Sequence, residues 1–171
     1  SGAPMPYRFR VKAFAADGSA SSATTALILV DVAAPLTGVQ NVVGNGSNRC
    51  GIVDGGSVWC WGEARLGALG NGNDAGPDKC PNGVACSRVA RPVIGVGGNG
   101  TLDGATSITV SGSTFCVVRL DHSVVCWGDN RYGALGQGFT SVAADPVEAR
   151  AVGPDVVEIA GGYDAGAEKR G

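Results

Sequence analysis

The sequence predicts an all-β protein made of repeated small sheets, and three observations support this prediction. The stretch CWGEARLGALG at residues 60–70 recurs as CWGDNRYGALG at residues 126–136. Glycine accounts for 29 of the 171 residues, and 44% of the residues are hydrophobic while only 16% are charged, a globular rather than a disordered composition. Short runs rich in Val, Ile and Cys alternate with glycine turns, as in short strands joined by tight turns.

The N-terminal segment, 1–34, is predicted to form a β-hairpin that does not belong to the repeat. Tyr7, Phe9, Val11 and Ala13 alternate with charged residues, and the turn ADGSASSA separates them from a second apolar strand, TTALILVDV. This pair resembles the last two strands of a fibronectin type III or related immunoglobulin-like sandwich, in which Tyr7 would be the corner tyrosine. Residues 1–34 are therefore expected to be a partial domain of that type followed by a linker.

The remaining residues, 35–171, are predicted to form the repeats. Cys60 and Cys126 are as far apart in the chain as Cys50 and Cys116, so one constant offset relates the two copies. Each copy is expected to form a strand, a tight turn and a second strand, preceded by one further strand and closed by Gly-Ala-Leu-Gly. Small sheets repeated in this way are typical of propeller blades. The predicted ranges are 36–95 for the first repeat, 103–150 for the second and 154–171 for a partial third.

The stretches CGIVDGGSVWCWGEARLGALG and CVVRLDHSVVCWGDNRYGALG resemble the repeat of the regulator of chromosome condensation family, in the form found in bacterial exported proteins. This resemblance covers about residues 37–163 and implies β-propeller blades. Two features depart from the family pattern. Ala68 and Ala134 stand where Gln is usual, and the first repeat is lengthened by an insert around NDAGPDKCPNGVACSR.

The cysteines occur as three close pairs: Cys50/Cys60, Cys80/Cys86 and Cys116/Cys126. The first and third pairs are expected to lie opposite each other on adjacent hairpin strands, where Cβ atoms come within disulfide range. The second pair would close the inserted loop CPNGVAC. Free buried thiols and a metal site are the alternatives, although no CxxC spacing occurs. Three disulfides would indicate an oxidising location: extracellular, cell-surface or periplasmic.

The repeated sequence also predicts equivalent packing positions in the two blades, with Trp61 and Trp127 as matching core residues. The expected repeat core consists of Trp61, Gly62, Leu69, Trp127, Gly128 and Leu135. Trp59 is expected to be more exposed than Trp61. The insert from Gly70 to Arg91, closed by its own disulfide, is expected to be a loop that serves as a contact surface. The candidate interaction residues are Trp59, Asp78, Lys79, Asn82 and Arg88.

No catalytic, metal or cofactor site is expected. His122 is the one histidine and is predicted to be a solvated turn residue, and NGNDAGPD at 71–78 lacks the ligand spacing of a helix–loop–helix Ca²⁺ site. A net charge of −2 gives no electrostatic footprint for nucleic acid. No apolar run approaches about 20 residues, so no membrane span is expected.

These observations predict a non-enzymatic extracellular structural or protein-interaction module. Its partners are expected to be other protein chains, either further copies of this chain or the rest of a larger polypeptide. Incomplete β edges would favour pairing between copies into oligomers or filaments. The alternative function is a secreted inhibitor or binding propeller that acts on a partner enzyme. The cysteine usage and the missing blades argue against guanine-nucleotide exchange, and no residues in the sequence point to hydrolase or lyase activity.

Overall fold

The computed structural model describes residues 36–148, 156 and 158–160. The chain divides into two compact units, Ser1–Pro35 and Leu36–Gly171. The hairpin predicted within residues 1–34 lies outside the described residues, as does most of the partial repeat predicted at 154–171.

The described part of the second unit forms two antiparallel sheets, which confirms the predicted all-β class. Its strands are β1 (Val39–Gly44), β2 (Asn48–Val53), β3 (Val58–Glu63), β4 (Asp78–Lys79), β5 (Ala85–Pro92), β6 (Ala105–Ser111), β7 (Thr114–Arg119), β8 (Val124–Asn130) and β9 (Ser141–Glu148). Short 3-10 turns lie at Asp54–Gly56, Arg65–Gly67 and Val96–Gly98.

The first sheet, named blade 1, has the strand order β1-β2-β3-β5-β4. The insert from Gly70 to Arg91 is not the single loop that the sequence predicts. Its second half forms β5, which pairs with the free edge of β3, and the two-residue strand β4 pairs with β5 beyond it. The strand β3 therefore lies between β2 and β5, and the backbone N–H and C=O groups on its second side are paired with β5 instead of being left at an open edge.

The second sheet, named blade 2, has the order β6-β7-β8-β9. Its first three strands repeat β1, β2 and β3 at the same constant offset as the cysteines. Cys50 lies opposite Cys60 on β2 and β3, and Cys116 lies opposite Cys126 on β7 and β8. The strand β9 pairs with β8 as β5 pairs with β3.

The hairpin turns of the two blades use different residues for the same backbone geometry. In blade 1, Gly56 adopts a left-handed conformation with φ of 78°. In blade 2 the corresponding residue is His122, with φ of 64°. The neighbouring Asp121 stabilises this turn by accepting hydrogen bonds from the backbone N–H and the hydroxyl of Ser123.

A single hydrophobic core joins the facing sides of the two blades. From blade 1 and the connection that follows it come Cys50, Ile52, Val58, Cys60, Ala64, Ala68, Leu69, Val93 and Leu102. From blade 2 come Ala105, Ile108, Phe115, Val117, Val125 and Trp127. A second, smaller cluster lies on the other side of blade 2 and contains Val118, Val124, Cys126 and Leu135, with Cys116, Val156 and Ile159 packed against it.

Candidate interaction surface

Each Cys-Trp-Gly sequence places its glycine at a bulge in the third strand of the blade. Gly62 has φ of 110° and Gly128 has φ of 101°, both in the left-handed region. A Cβ atom at Gly62 would lie 2.1 Å from the carbonyl oxygen of Ser47, and one at Gly128 would lie 2.1 Å from that of Ser113. Only glycine fits both the backbone conformation and this close approach, which explains why the motif repeats.

Trp127 is fully buried between the two blades. Its ring stacks on Phe115 with centroids 5.7 Å apart and an interplanar angle of 14°. Its indole Nε1 donates a hydrogen bond of 3.2 Å to the carbonyl oxygen of Ala68. A Cβ atom at Gly70 would lie 3.0 Å from Cδ1 of Trp127. The Gly-Ala-Leu-Gly turn of blade 1 therefore receives the tryptophan of blade 2.

Trp61 is only half-buried, so the predicted equivalence of Trp61 and Trp127 does not describe their packing. The reason is that Trp61 lies on the side of blade 1 turned away from blade 2. Trp59 is also half-buried. Because residues two apart on a strand point to the same face, Trp59 shares the face of Trp61 instead of being its exposed counterpart.

The two Gly-Ala-Leu-Gly leucines anchor their turns in different clusters. Leu69 packs in the core between the blades, and Leu135 packs in the cluster on the other side of blade 2. Both side chains are almost completely buried. Each turn therefore belongs to the blade that carries it and contributes to the surface on which the next element packs.

The six cysteines form the three predicted disulfides: Cys50–Cys60, Cys80–Cys86 and Cys116–Cys126. The first and third each join directly opposed residues of a hairpin, with Cα atoms 4.1 Å apart. The first is fully buried between the blades, whereas Cys116 is half-buried. The described residues contain no free cysteine.

Four of the five predicted interaction residues come together in the β4–β5 hairpin, which the Cys80–Cys86 disulfide closes. Asp78 accepts a hydrogen bond of 2.9 Å from the backbone N–H of Arg88 and one of 3.1 Å from its guanidinium. The backbone hydrogen bond from Arg88, followed by its side-chain hydrogen bond, lowers the pKa of Asp78 from its ordinary value. The side chain of Arg88 remains mostly exposed, so the pair offers a cation at a fixed position on the surface.

The tip of this hairpin is hydrogen-bonded to β3 of blade 1. The side-chain amide of Asn82 donates a hydrogen bond of 2.9 Å to Oε1 of Glu63. Lys79 is exposed on β4. Trp59, the fifth candidate, is not part of the hairpin: it lies on β3 opposite Pro92, and its Nε1 donates to Oγ of Ser57 at 3.3 Å.

A cleft of about 300 Å³ lies where the turns of the two blades meet. Its lining residues are Asn45, Gly46, Ser47, Asn48, Glu63, Arg65, Leu66, Gly112 and Ser113. The amide of Asn45 crosses between the blades and donates to the carbonyl oxygen of Gly112 at 2.5 Å. Leu66 adopts a left-handed conformation with φ of 58°, which is uncommon for a non-glycine residue.

Sequence reasoning missed a buried polar residue in blade 2. Asn130 is fully buried, and its amide nitrogen donates to the carbonyl oxygen of Phe139 and to Oγ of Ser141. Its Oδ1 accepts from the backbone N–H of Leu135 at 3.1 Å. The change from Ala in EARLGALG to Asn in DNRYGALG, within otherwise matching motifs, is the signal that could have identified it. Ala64 occupies the corresponding position in blade 1.

Two exposed aromatic residues in the same loop were also missed. Tyr132 is 90% exposed and Phe139 is 58% exposed. Tyrosine is enriched at protein–protein contacts because it offers a large rigid surface with a polar end. Neither residue stands out in the sequence, because exposure depends on how the loop folds back on β8.

Within the described ranges, no cluster of His, Cys, Asp or Glu side chains could hold a metal ion. The same part of the chain contains no helix long and apolar enough to span a membrane.

Two stacked sheets, each with a glycine bulge and a tryptophan on its third strand, define a blade-type β-repeat protein. The family model "Regulator of chromosome condensation (RCC1) repeat" matches residues 105–134. A chain in the crystal structure of Kap60 bound to yeast RCC1 (Prp20) has a similar fold, with a TM-score of 0.50 and 20% sequence identity. That match covers 72% of this chain but only 26% of the other. No curated protein matches. Residues 105–134 thus match an RCC1-type repeat, and the described sheets have the same blade-type fold.

Proposed function

We propose that this chain is a non-enzymatic protein-interaction module that works outside the reducing cytoplasm and binds other protein chains, including further copies of itself. The observation that carries the proposal is the disulfide-closed β4–β5 hairpin, which presents Lys79, Asn82 and Arg88 at the outer edge of blade 1.

This hairpin is organised before any partner arrives. The Asp78–Arg88 ion pair, the Asn82–Glu63 hydrogen bond and the Cys80–Cys86 disulfide each restrain a different part of it. A surface whose side chains are already ordered loses less conformational entropy on binding, so more of its contact energy appears as affinity. The short strand β4 also leaves little free backbone edge, which favours recognition through side chains.

The disulfides support a location that is extracellular, on the cell surface or periplasmic. Three cystines, one of them buried in the core between the blades, require oxidising conditions to form and persist. The resemblance to bacterial exported repeat proteins fits such a location.

The comparison supports a protein partner in a more general way. Yeast RCC1 (Prp20) has been solved bound to another protein, Kap60. Because one fold serves many functions, this observation gives the class of partner and not its identity.

The proposal can be tested with the full chain immobilised under non-reducing conditions and exposed to the extracellular or periplasmic extract of its source. We expect a defined protein to be retained by the wild type and lost from the Lys79→Glu/Arg88→Glu variant. Arg65→Glu is the matched control, since Arg65 is also an exposed cation of blade 1 but lies at the cleft instead of the hairpin. Equal retention by all three chains, or retention of nothing, would contradict the proposal.

Self-association is tested separately by size-exclusion chromatography with light scattering over a range of concentrations. The full chain is expected to form concentration-dependent oligomers. A disulfide-bonded monomer at all concentrations would remove self-association from the proposal and leave the binding of other proteins to the extract experiment.

A further inference from the structure

The two blades correspond position by position, so the contact between them predicts what each free side can bind. Val117 lies opposite Val125 on β7 and β8, as Gly51 lies opposite Trp59 on β2 and β3. The side of blade 2 that packs on blade 1 is named its leading face. The opposite side, which carries the Cys116–Cys126 disulfide, is named its trailing face. Blade 1 has the same two faces, and its trailing face contacts blade 2.

The leading face is buried in blade 2 and exposed in blade 1. Ala105 and Ile108 on the leading face of blade 2 are 5% and 6% exposed, and Val125 and Trp127 are fully buried. The four counterparts in blade 1 are Val39 and Val42, which are 42% and 47% exposed, and the half-buried Trp59 and Trp61. The same four positions therefore form a buried interface in one blade and an exposed apolar patch in the other.

The side chains of the patch on blade 1 have about the same total apolar volume as their counterparts in the buried interface of blade 2. Blade 2 places two valines opposite each other, Val117 and Val125, whereas blade 1 places the large Trp59 opposite Gly51. The total apolar volume is thus maintained across the two strands, as interior packing demands. Arg49 replaces Phe115 beside the tryptophan, and its guanidinium is held by the backbone carbonyl oxygens of Asn45 and Asn48.

The trailing face of blade 2 reproduces the surface that receives Trp127 on blade 1. Gly70 and Gly136 have φ of 60° and 64°. Both N–H groups close the same turn, since Gly70 donates to Gly67 at 2.9 Å and Gly136 donates to Gly133 at 3.0 Å. The disulfides lie at matching positions in the two hairpins. Within the described residues, the chain therefore carries both an exposed leading face and a second trailing face.

Part of that second trailing face is covered by two residues that follow β9 in the chain. Val156 and Ile159 pack against it, and the carbonyl oxygen of Val156 lies 3.3 Å from Nδ1 of His122. These two residues have the spacing of Ala105 and Ile108, and of Val39 and Val42. Both are only half-buried, so their cover of the trailing face is less complete than that provided by β6 on blade 1.

We propose that the leading face of blade 1 docks on the trailing face of blade 2 of a second copy of this chain. Trp61 then lies against the neighbour's Gly136, and Val39 and Val42 take the places of Val156 and Ile159. The contact continues the interface already present between the two blades. It uses two different surfaces of the chain, so successive copies can add head to tail. The inference rests on the self-association part of the proposed function and names the surfaces responsible.

Val42→Asp is the primary test, because Val42 is exposed and its replacement leaves the core between the blades intact. Burying an unpaired carboxylate at the contact should weaken association by about tenfold or more in sedimentation velocity. Asn41→Asp is the matched control, since it adds the same charge to the same strand at an exposed position outside the patch. It should associate like the wild type.

Ile159→Asp tests the trailing face from the other side. Weakening the cover formed by Val156 and Ile159 should strengthen association, and the added Val42→Asp should cancel that gain. If Ile159→Asp merely exposed an apolar cluster that associates non-specifically, Val42→Asp would not reduce the gain. A cancelled gain therefore indicates the proposed contact.

Oligomers that are unchanged by Val42→Asp, or that disappear on deletion of residues 1–33, would overturn the proposed faces while leaving self-association in place. A wild-type monomer at every concentration would overturn the inference together with self-association. Neither result would affect the binding of other proteins through the β4–β5 hairpin.

Discussion

The indole of Trp127 donates a hydrogen bond of 3.2 Å to the carbonyl oxygen of Ala68, a residue 59 positions earlier in the chain. This bond joins the third strand of blade 2 to the Gly-Ala-Leu-Gly turn that closes blade 1. Both partners belong to repeated motifs, so the repeated sequence encodes the interface between blades as well as the blades themselves.

Trp127→Ala should lower the free energy of unfolding by about 3–5 kcal/mol, because it leaves a large cavity between the blades. Trp127→Phe keeps most of the ring volume and should cost less, with the lost hydrogen bond contributing about 1 kcal/mol. Trp61→Ala should cost less than Trp127→Ala, since Trp61 is half-buried. Urea unfolding without reductant measures all three. Equal losses at positions 61 and 127 would contradict the packing described for Trp61.

Gly128→Ala should destabilise the chain more than the left-handed backbone alone explains. The conformational cost for an L-residue is about 1–2 kcal/mol. The approach of Cβ to the carbonyl oxygen of Ser113 adds to it.

Gly112→Ala separates these two effects, because Gly112 has φ of 56° but no atom within 4 Å of an added Cβ. Its loss of thermal stability should therefore be smaller than that of Gly128→Ala. A loss at Gly112 equal to that at Gly128 would rule out the close approach as the cause.

Removing the Cys116–Cys126 disulfide by a double replacement with Ala should cost about 2–3 kcal/mol, through the entropy of a closed loop of about ten residues. Thermal unfolding of the variant and the wild type under non-reducing conditions measures the difference. Peptide mapping without reduction should recover Cys50 with Cys60 and Cys116 with Cys126. Recovery of Cys50 linked to Cys116 would reject the strand register of both blades.

Acidification should weaken the contact between Asp78 and Arg88 in the β4–β5 hairpin. The Arg88 backbone and side-chain hydrogen bonds hold the pKa of Asp78 below its ordinary value. A carboxyl whose pKa is lower in the folded state contributes stability above its unfolded pKa of about 3.9, and that contribution is lost as the pH falls through the folded pKa.

An NMR titration of the Asp78 carboxyl and of the Arg88 amide should therefore show a common midpoint below about 3.9. Asp78→Asn removes the charge, so the Arg88 amide should lose this transition. A midpoint at or above the ordinary value would contradict the hydrogen bonding described for Asp78.

Much of the fold could be predicted because its signals are local. The Asp-Gly-Gly turn, the alternating apolar strands and the paired cysteines indicate a hairpin without reference to any distant residue. The strand β5 could not be predicted, because ACSRVARP becomes a strand by pairing with the free edge of β3. Likewise, the loop after Leu120 carries no glycine, and only the structure shows His122 in the left-handed position.

The candidate interaction surface could also be predicted only in part. The sequence predicted that Asp78, Lys79, Asn82 and Arg88 share a segment closed by a disulfide, because the two cysteines enclose or adjoin them. It did not predict that Asp78 faces Arg88 or that Asn82 reaches Glu63, since these contacts depend on the pairing of β4 with β5. Tyr132 and Phe139 were missed because their exposure is decided by the path of a loop.

By itself, the sequence determined the repeat, the hairpins and the partners of the cysteines, since all of these depend on short-range pattern and on the constant offset between the two copies. The tertiary structure decided which member of each repeated pair is buried. Trp61 and Trp127 occupy the same position in their motifs, yet a blade covers Trp127 while Trp61 stays half-exposed. Burial of an apolar side chain depends on the neighbour that removes it from water, and a motif does not specify that neighbour.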